Sequence, residues 1–395
     1  MNFFRKHLST LFMLSLLTLL MLACSQPKKT DLHEKIQQLV NERDAVGLAV
    51  AVVKDGEIVY EDHFGYSDLE KKTPLKEGDL FRIASISKSF TSSSLMQLVE
   101  KGVLHLDDDV SDLIGFKIRN PKFPDTPITL KMVLSHSSSL NDDQGYFTLN
   151  TINPDSTDHW EKSYNDYKPG TAYEYCNLNY NLAGTILEKW SDTRFDQYIV
   201  QHILDPMGIY GGYDVDSLDR SKFVNLYEYN PKTDTFENSP AAYQSRAEAL
   251  THYKMGYDTP LFSPTGGMKI SARDLAKYMT MQMNLGQYKG TQILSKESAK
   301  TIQTPVINIT DKAAYGLAIF TVQNLVENET LIGHTGSAYG LYSAMFFDPD
   351  KKVGFVAITN GVKEEEQPEH EYSPLLKTTI NLLYDHYTGT GETAN

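Results

Sequence analysis

The sequence predicts an α+β fold: an antiparallel β-sheet built from both chain ends, flanked by helices, with a mostly helical lobe inserted in the middle. Three observations predict it. Strand-like runs cluster near the two ends, at 46–64 and 315–359. Between about 105 and 262 strand patterns are sparse, and short helical pieces alternate with loops rich in Asp, Asn, Pro and Tyr. Helical periodicity flanks both strand clusters, so the simplest folding pairs the two ends in one sheet with helices packed on it.

Composition narrows the class. The 395 residues carry 37 Lys+Arg against 51 Asp+Glu, a net charge of −14, and 41% are hydrophobic. That is a globular composition with enough chain for a two-lobed unit and a sizeable core. The acidity argues against a nucleic-acid partner, which would call for a basic stripe. Two cysteines exclude a disulfide scaffold. The 11 histidines show no metal-ligand spacing, so neither metal nor cofactor is expected.

In chain order, residues 1–23 have a positive start (Arg5, Lys6), an apolar run at 11–22, and a small residue before Cys24. The run is short for a membrane span. The segment resembles a bacterial lipoprotein signal peptide, which implies that Cys24 is lipidated and becomes the mature N-terminus. Residues 24–34 then read as a polar tether, and Cys176 is the one remaining thiol, an inert one. The runs 46–53 and 57–64, joined by Lys54-Asp55-Gly56, predict a β-hairpin. A helix is expected over 85–101, stopped by Gly102. Helical pieces follow at 130–136, 177–190, 195–204 and 272–285. Strands are expected at 315–322, 330–333, 341–347 and 353–359, with Asp348-Pro349-Asp350 as the last turn. A final helix has Ser373 as N-cap and Pro374 at its first position. The domain plan is one unit at 35–395: an α/β lobe at about 35–104 and 263–395, and a helical lobe at about 105–262.

The chemistry starts at Phe81-Arg82-Ile83-Ala84-Ser85-Ile86-Ser87-Lys88. Ser85 falls where a helix begins, and Lys88 is one turn on, on the same face. A hydroxyl becomes a nucleophile when a neighbour takes its proton, and a helix start supplies N–H groups for an oxyanion. Ser-x-x-Lys alone is weak: Ser25-Gln26-Pro27-Lys28 matches it too. Two further elements strengthen it. Tyr175-Cys176-Asn177 opens a helical stretch, offering a phenol for proton relay and an amide for a substrate carbonyl or the lysine. His334-Thr335-Gly336-Ser337 follows a strand-like run, and its glycine permits close approach of a backbone.

Together, in this order, the three resemble the serine β-lactamase-related family: class C β-lactamases, D-Ala-D-Ala carboxypeptidases of that fold, D-aminopeptidases and related esterases. Residues 128–138 (Ile-Thr-Leu-Lys-Met-Val-Leu-Ser-His-Ser-Ser) resemble the stretch leading into that family's His-Thr-Ser-Gly-Leu segment, with Ser139 in place of its Gly. Ser263-Pro264-Thr265-Gly266-Gly267-Met268 resembles its Gly-Gly segment. The resemblance spans about residues 35–362. It implies a β-lactamase/transpeptidase-like fold, Ser85 as acylated nucleophile, Lys88 as its proton partner, and Tyr175 as base or relay. Which of the two takes the first proton stays open. It further implies Asn177, His334, Thr335, Gly336 and Ser337 as substrate-binding, with the N–H groups of Ser85 and Ser337 as oxyanion hole. His334 stands where the family's third motif has Lys or His, and here it is not Lys. A partly charged ring is a weaker carboxylate partner, which favours peptidase or esterase chemistry over efficient β-lactam hydrolysis. The implied partners are a small-molecule or peptide substrate, such as a peptidoglycan fragment, and a bacterial membrane in the cell envelope, outer or periplasm-facing, through the lipid anchor. The alternative is a non-catalytic penicillin- or peptide-binding sensor that keeps the pocket. The sequence leaves oligomeric state open.

Overall fold

The computed structural model describes residues 28–364 and 372–389. Cys24 and the expected signal segment lie outside these residues. Helix α1 spans Lys28–Glu42. The hairpin follows as β1 (Gly47–Lys54) and β2 (Glu57–Asp68), then β3 (Thr73–Pro74). Helices α2 (Ser87–Glu100), α3 (Asn177–Ser191) and α4 (Ala272–Met283) come next. Strands β4 (Ile307–Thr310), β5 (Ala313–Tyr315), β6 (Phe320–Val322), β7 (Leu331–Ala338), β8 (Leu341–Asp348) and β9 (Val353–Thr359) precede α5 (Pro374–Thr388).

One nine-stranded sheet runs in the order β4-β5-β6-β7-β8-β9-β1-β2-β3, antiparallel throughout. The two chain ends meet at β1 and β9, where Leu48 pairs with Thr359 and Val50 with Ala357. This is the expected fold class. The hairpin turn uses Asp55 and Gly56, both with positive φ (52° and 84°), the backbone that a two-residue loop between twisted strands requires.

The sheet is covered on both faces, which is why its central strands read as unbroken apolar runs rather than alternating ones. Leu48, Val50 and Val52 meet α1 and α5, through Leu32, Ile36, Leu376 and Ile380. Ala49, Ala51 and Val53 face the opposite core, with Leu275, Ala276 and Met279 of α4. The Ser373 hydroxyl caps α5 by accepting from Leu376 N–H.

Three expectations need correction. Helix α1 begins at Lys28, inside the expected tether; Leu32, Ile36, Leu39 and Val40 form an apolar stripe that the neighbouring charges masked. The run 315–322 is two strands, not one. Gly316–Ile319 closes a tight turn (Gly316 N–H to Ile319 O, 2.8 Å), and Ala318 takes φ 65°. The turn is apolar because Leu317, Ala318 and Ile319 are buried, so no polar residue marks it. Finally, the helix expected from Ser85 begins as a 3₁₀ turn, Ala84–Ile86, and becomes α-helical at Ser87.

Candidate active site

Ser85 sits in that 3₁₀ turn, at the end of a short strand. Phe81 and Arg82 pair with Ile270 and Lys269, and Ile83 N–H bonds Met268 O at 3.0 Å. Ala84 then turns with φ 46°, a left-handed conformation that an L-residue adopts only when its surroundings enforce it. The sharp turn brings the Ser85 hydroxyl to the wall of a cavity of about 470 Å³. Tyr175, Asn177, His334, Gly336 and Ser337 line the same cavity.

Lys88 is fully enclosed. Its Nζ donates to Ser85 Oγ at 3.0 Å, Asn177 Oδ1 at 2.9 Å and Thr265 O at 2.9 Å. The Tyr175 ring centre lies 4.7 Å from the same nitrogen and that of Tyr180 5.8 Å. A buried amine needs hydrogen-bond partners, and these supply them from three separate segments. The amine is thereby fixed against the serine it would serve.

Tyr175 and Asn177 are delivered by the start of α3. The helix has no side-chain cap of its own: Cys176, at the N-cap position, makes none. Asp142 takes that place. Its carboxylate accepts from Asn177 N–H (2.8 Å), Leu178 N–H (3.0 Å), the Asn177 side-chain amide (3.0 Å) and the Cys176 thiol (3.2 Å). A carboxylate at a helix N-terminus satisfies orphan N–H groups and complements the dipole. Here it also settles which way the Asn177 amide points: nitrogen to Asp142, oxygen to Lys88.

His136 does similar work for Tyr175. Its Nδ1 accepts from Cys176 N–H at 3.1 Å, and its ring lies 4.3 Å from the Tyr175 ring. Burial, then the neighbouring Lys88, holds His136 well below the usual imidazole range, so it is neutral. Ser139 takes φ 67° and is buried, its Oγ accepting from Asn120 at 3.0 Å. A glycine would reach that backbone without strain.

On the far side, β7 carries His334–Ser337. Strand β6 pairs only with Leu331–Gly333, so the stretch His334–Ala338 has no strand neighbour on that edge among the described residues. The edge faces the Ser85 turn. Gly336 is the contact point: a Cβ there would come within 2.3 Å of Ile83 O and 2.9 Å of Ser85 N. Ser343 ties the two together by donating to Ile83 O at 2.9 Å.

His334 departs from expectation. It is only 1% exposed, and its ring nitrogens are taken by Tyr315 OH (3.0 Å) and Thr335 O. A carbonyl only accepts, so Nδ1 carries the proton and Nε2 accepts from Tyr315. Burial, then Lys88, pulls its pKa down to about 3. The ring is therefore neutral across physiological pH rather than partly charged. It holds the strand in place and offers no charge to a ligand.

Each residue expected at the site thus borders one cavity or the buried lysine beside it. Three contributors escaped the sequence reading: Asp142, Thr265 and His136. Thr265 and His136 fall within quoted segments and could have been singled out. Asp142 had no signal, because it acts on a helix 35 residues away.

The family whose description is Beta-lactamase matches residues 32–377. The chain belongs to the Beta-lactamase family. Penicillin-binding protein 4* of Bacillus subtilis (strain 168) is 26% identical over 368 residues, covering 91% of this chain and 77% of that protein. Protein flp of Staphylococcus aureus (strain MW2) is 26% identical over 357 residues, 85% of this chain; the chain spans 62% of that relative's length. Among solved structures, an octameric penicillin-binding protein homologue from Pyrococcus abyssi superposes with a TM-score of 0.70 at 26% identity, covering 90% of this chain and 77% of that one. This Beta-lactamase-family chain shows, among its described residues, no cluster of His, Cys, Asp or Glu placed to hold a metal ion, and no helix long and apolar enough to cross a membrane.

Proposed function

We propose that this protein is a serine hydrolase that cleaves an amide or ester through an acyl-enzyme on Ser85. One observation carries the reading: a hydroxyl at a cavity wall is hydrogen-bonded at 3.0 Å to an enclosed lysine, itself held by Asn177 and Thr265. Lys88 and Tyr175 together take the Ser85 proton as Oγ attacks the substrate carbonyl, and they return it to the leaving group. The N–H groups of Ser85 and Ser337 face the developing oxyanion. Water then attacks the ester and regenerates the hydroxyl. Asn177 keeps Lys88 aligned and borders the substrate.

D-amino-acid peptides and small esters rank above efficient β-lactam turnover. The support is His334: with a pKa of about 3 it supplies no cation from β7. Membership of the Beta-lactamase family and similarity to penicillin-binding protein 4* support acyl-transfer chemistry in general.

A fluorophosphonate probe is expected to label wild-type protein and to leave Ser85→Ala unlabelled. A panel of chromogenic esters, D-alanyl peptides and β-lactams then ranks substrates. Folded wild type that stays unlabelled removes the catalytic reading; labelling or slow acylation with no turnover on any of the panel leaves a binding sensor. Rapid hydrolysis of a chromogenic cephalosporin reverses the ranking.

We also propose that Cys24 is lipidated and holds the protein in the cell envelope. Support comes from the charged start, the apolar run and the small residue before Cys24. In a bacterial host fed radiolabelled palmitate, wild type is expected to carry label in the membrane fraction and Cys24→Ser to carry none. Equal labelling of both removes the proposal.

A further inference from the structure

We propose that Arg82, rather than a cation on β7, forms the anion subsite of the Ser85 cavity and receives the free carboxylate of a substrate. This inference rests on the hydrolase reading and names a specificity-determining residue for it.

Arg82 lines the cavity together with Ala84 and Ser85. Its Nε donates to Gly266 O at 2.7 Å, its Nη1 to Ala242 O at 3.4 Å, and the guanidinium lies 5.0 Å from the Tyr339 ring centre. The preceding carbonyl, Thr265 O, accepts from Lys88. Adjacent carbonyls of one loop therefore hold the guanidinium and the catalytic amine. Arg82 and Lys88 are thus anchored one peptide unit apart, and Arg82 borders the cavity that Ser85 lines.

The guanidinium has donors to spare. Nη2 has no hydrogen-bond partner, and no carboxylate pairs with Arg82, among the described residues. The other half-buried arginines differ: Arg119 is clamped by Asp109, Arg194 by Asp196 and Arg273 by Glu61. Arg82 alone of the four is taken from water against neutral acceptors, and Arg246 adds positive potential beside it. An incoming carboxylate would meet the open part of a planar fork and replace the missing counter-charge.

The rest of that wall is aromatic. Tyr146, Phe147 and Tyr339 line it with Arg82, and Phe147 is 78% exposed. A large exposed ring at a cavity mouth is suited to covering an apolar group. The combination fits a peptide or N-acylated amino acid ending in a free carboxylate. It also relocates the cation. With His334 neutral, charge recognition moves from β7 to the segment just before Ser85, so the carboxylate sits differently relative to the scissile bond.

The test compares N-acetyl-D-phenylalanine with N-acetyl-D-phenylalanine amide by ligand-induced thermal stabilisation, on wild type, Arg82→Gln and Arg82→Lys. Wild type is expected to bind the acid at roughly 10-fold lower concentration than the amide or better, the size of a charge-assisted hydrogen bond. Arg82→Gln is expected to lose that preference, and Arg82→Lys to recover part of it. Equal binding of acid and amide by wild type, binding of neither, or a preference that survives in Arg82→Gln overturns the subsite. If Arg82→Gln does not fold, the wild-type acid-to-amide ratio and Arg82→Lys still decide. This readout needs no turnover, so a failure of Ser85 labelling counts against the hydrolase reading and not against the subsite.

Discussion

Asp142 grips Asn177 twice, through the main-chain N–H at 2.8 Å and the side-chain amide at 3.0 Å. The grip makes one carboxylate both the cap of α3 and the setting for Lys88, because the amide oxygen it leaves free accepts from Nζ at 2.9 Å.

Asp142→Asn should therefore show two effects. Losing a charged cap costs about 1–2 kcal/mol of stability. The neutral amide also competes for the same N–H groups and lets Asn177 rotate, so labelling of Ser85 by a fluorophosphonate is expected to slow by more than tenfold. A loss of stability with unchanged labelling rate would reduce Asp142 to a cap.

Gly336→Ala tests the closeness of β7 to the Ser85 turn. The added carbon would meet Ile83 O at 2.3 Å and Ser343 Oγ at 2.6 Å. Relief requires the strand to retreat, at about 1–3 kcal/mol. Chemical denaturation should report that loss, and Ser85 labelling should fall with it. Full labelling with unchanged stability would show that the edge has slack.

The two buried histidines set a pH dependence. Their folded pKa values lie below the ordinary value of 6.5, His334 at about 3 and His136 well below it. Below pH 6.5 the unfolded chain binds protons that the folded one refuses. Stability is thus complete above about pH 7 and is lost as pH falls below 6.5, down to about 3 for His334, by up to about 1.4 kcal/mol per pH unit for each ring. Denaturant unfolding at pH 7.5 and 5.0 should show a smaller drop for His334→Gln than for wild type. Parallel drops would mean that the ring is not the source.

Cys176 should be silent in the native state. It is fully buried, its thiol donates to Asp142, and burial together with that carboxylate pushes its pKa up. Iodoacetamide at pH 8 is expected to modify it only after unfolding. Rapid modification of folded protein would indicate that the start of α3 opens.

Local chemistry made much of this protein legible in its sequence. Asp55-Gly56, Ser373-Pro374 and the apolar runs of β1 and β9 specify turn, cap and buried strand from neighbours alone. Ser85 and Lys88 are readable as a pair because a single turn joins them. What escaped depends on partners distant in the chain. The apolar turn at 316–319 is stabilised by burial against other elements, so it carries no polar mark. His334 looked like a titrating ring until Tyr315, Thr335 and the surrounding burial fixed it as neutral. Asp142, Thr265 and Arg82 acquire their roles only when segments up to 184 residues apart come together. Sequence by itself determined which groups could react, because reactivity begins with residue type and short spacing. Tertiary structure decided charge, orientation and which groups face a ligand, because those follow from dielectric and from neighbours that only folding supplies.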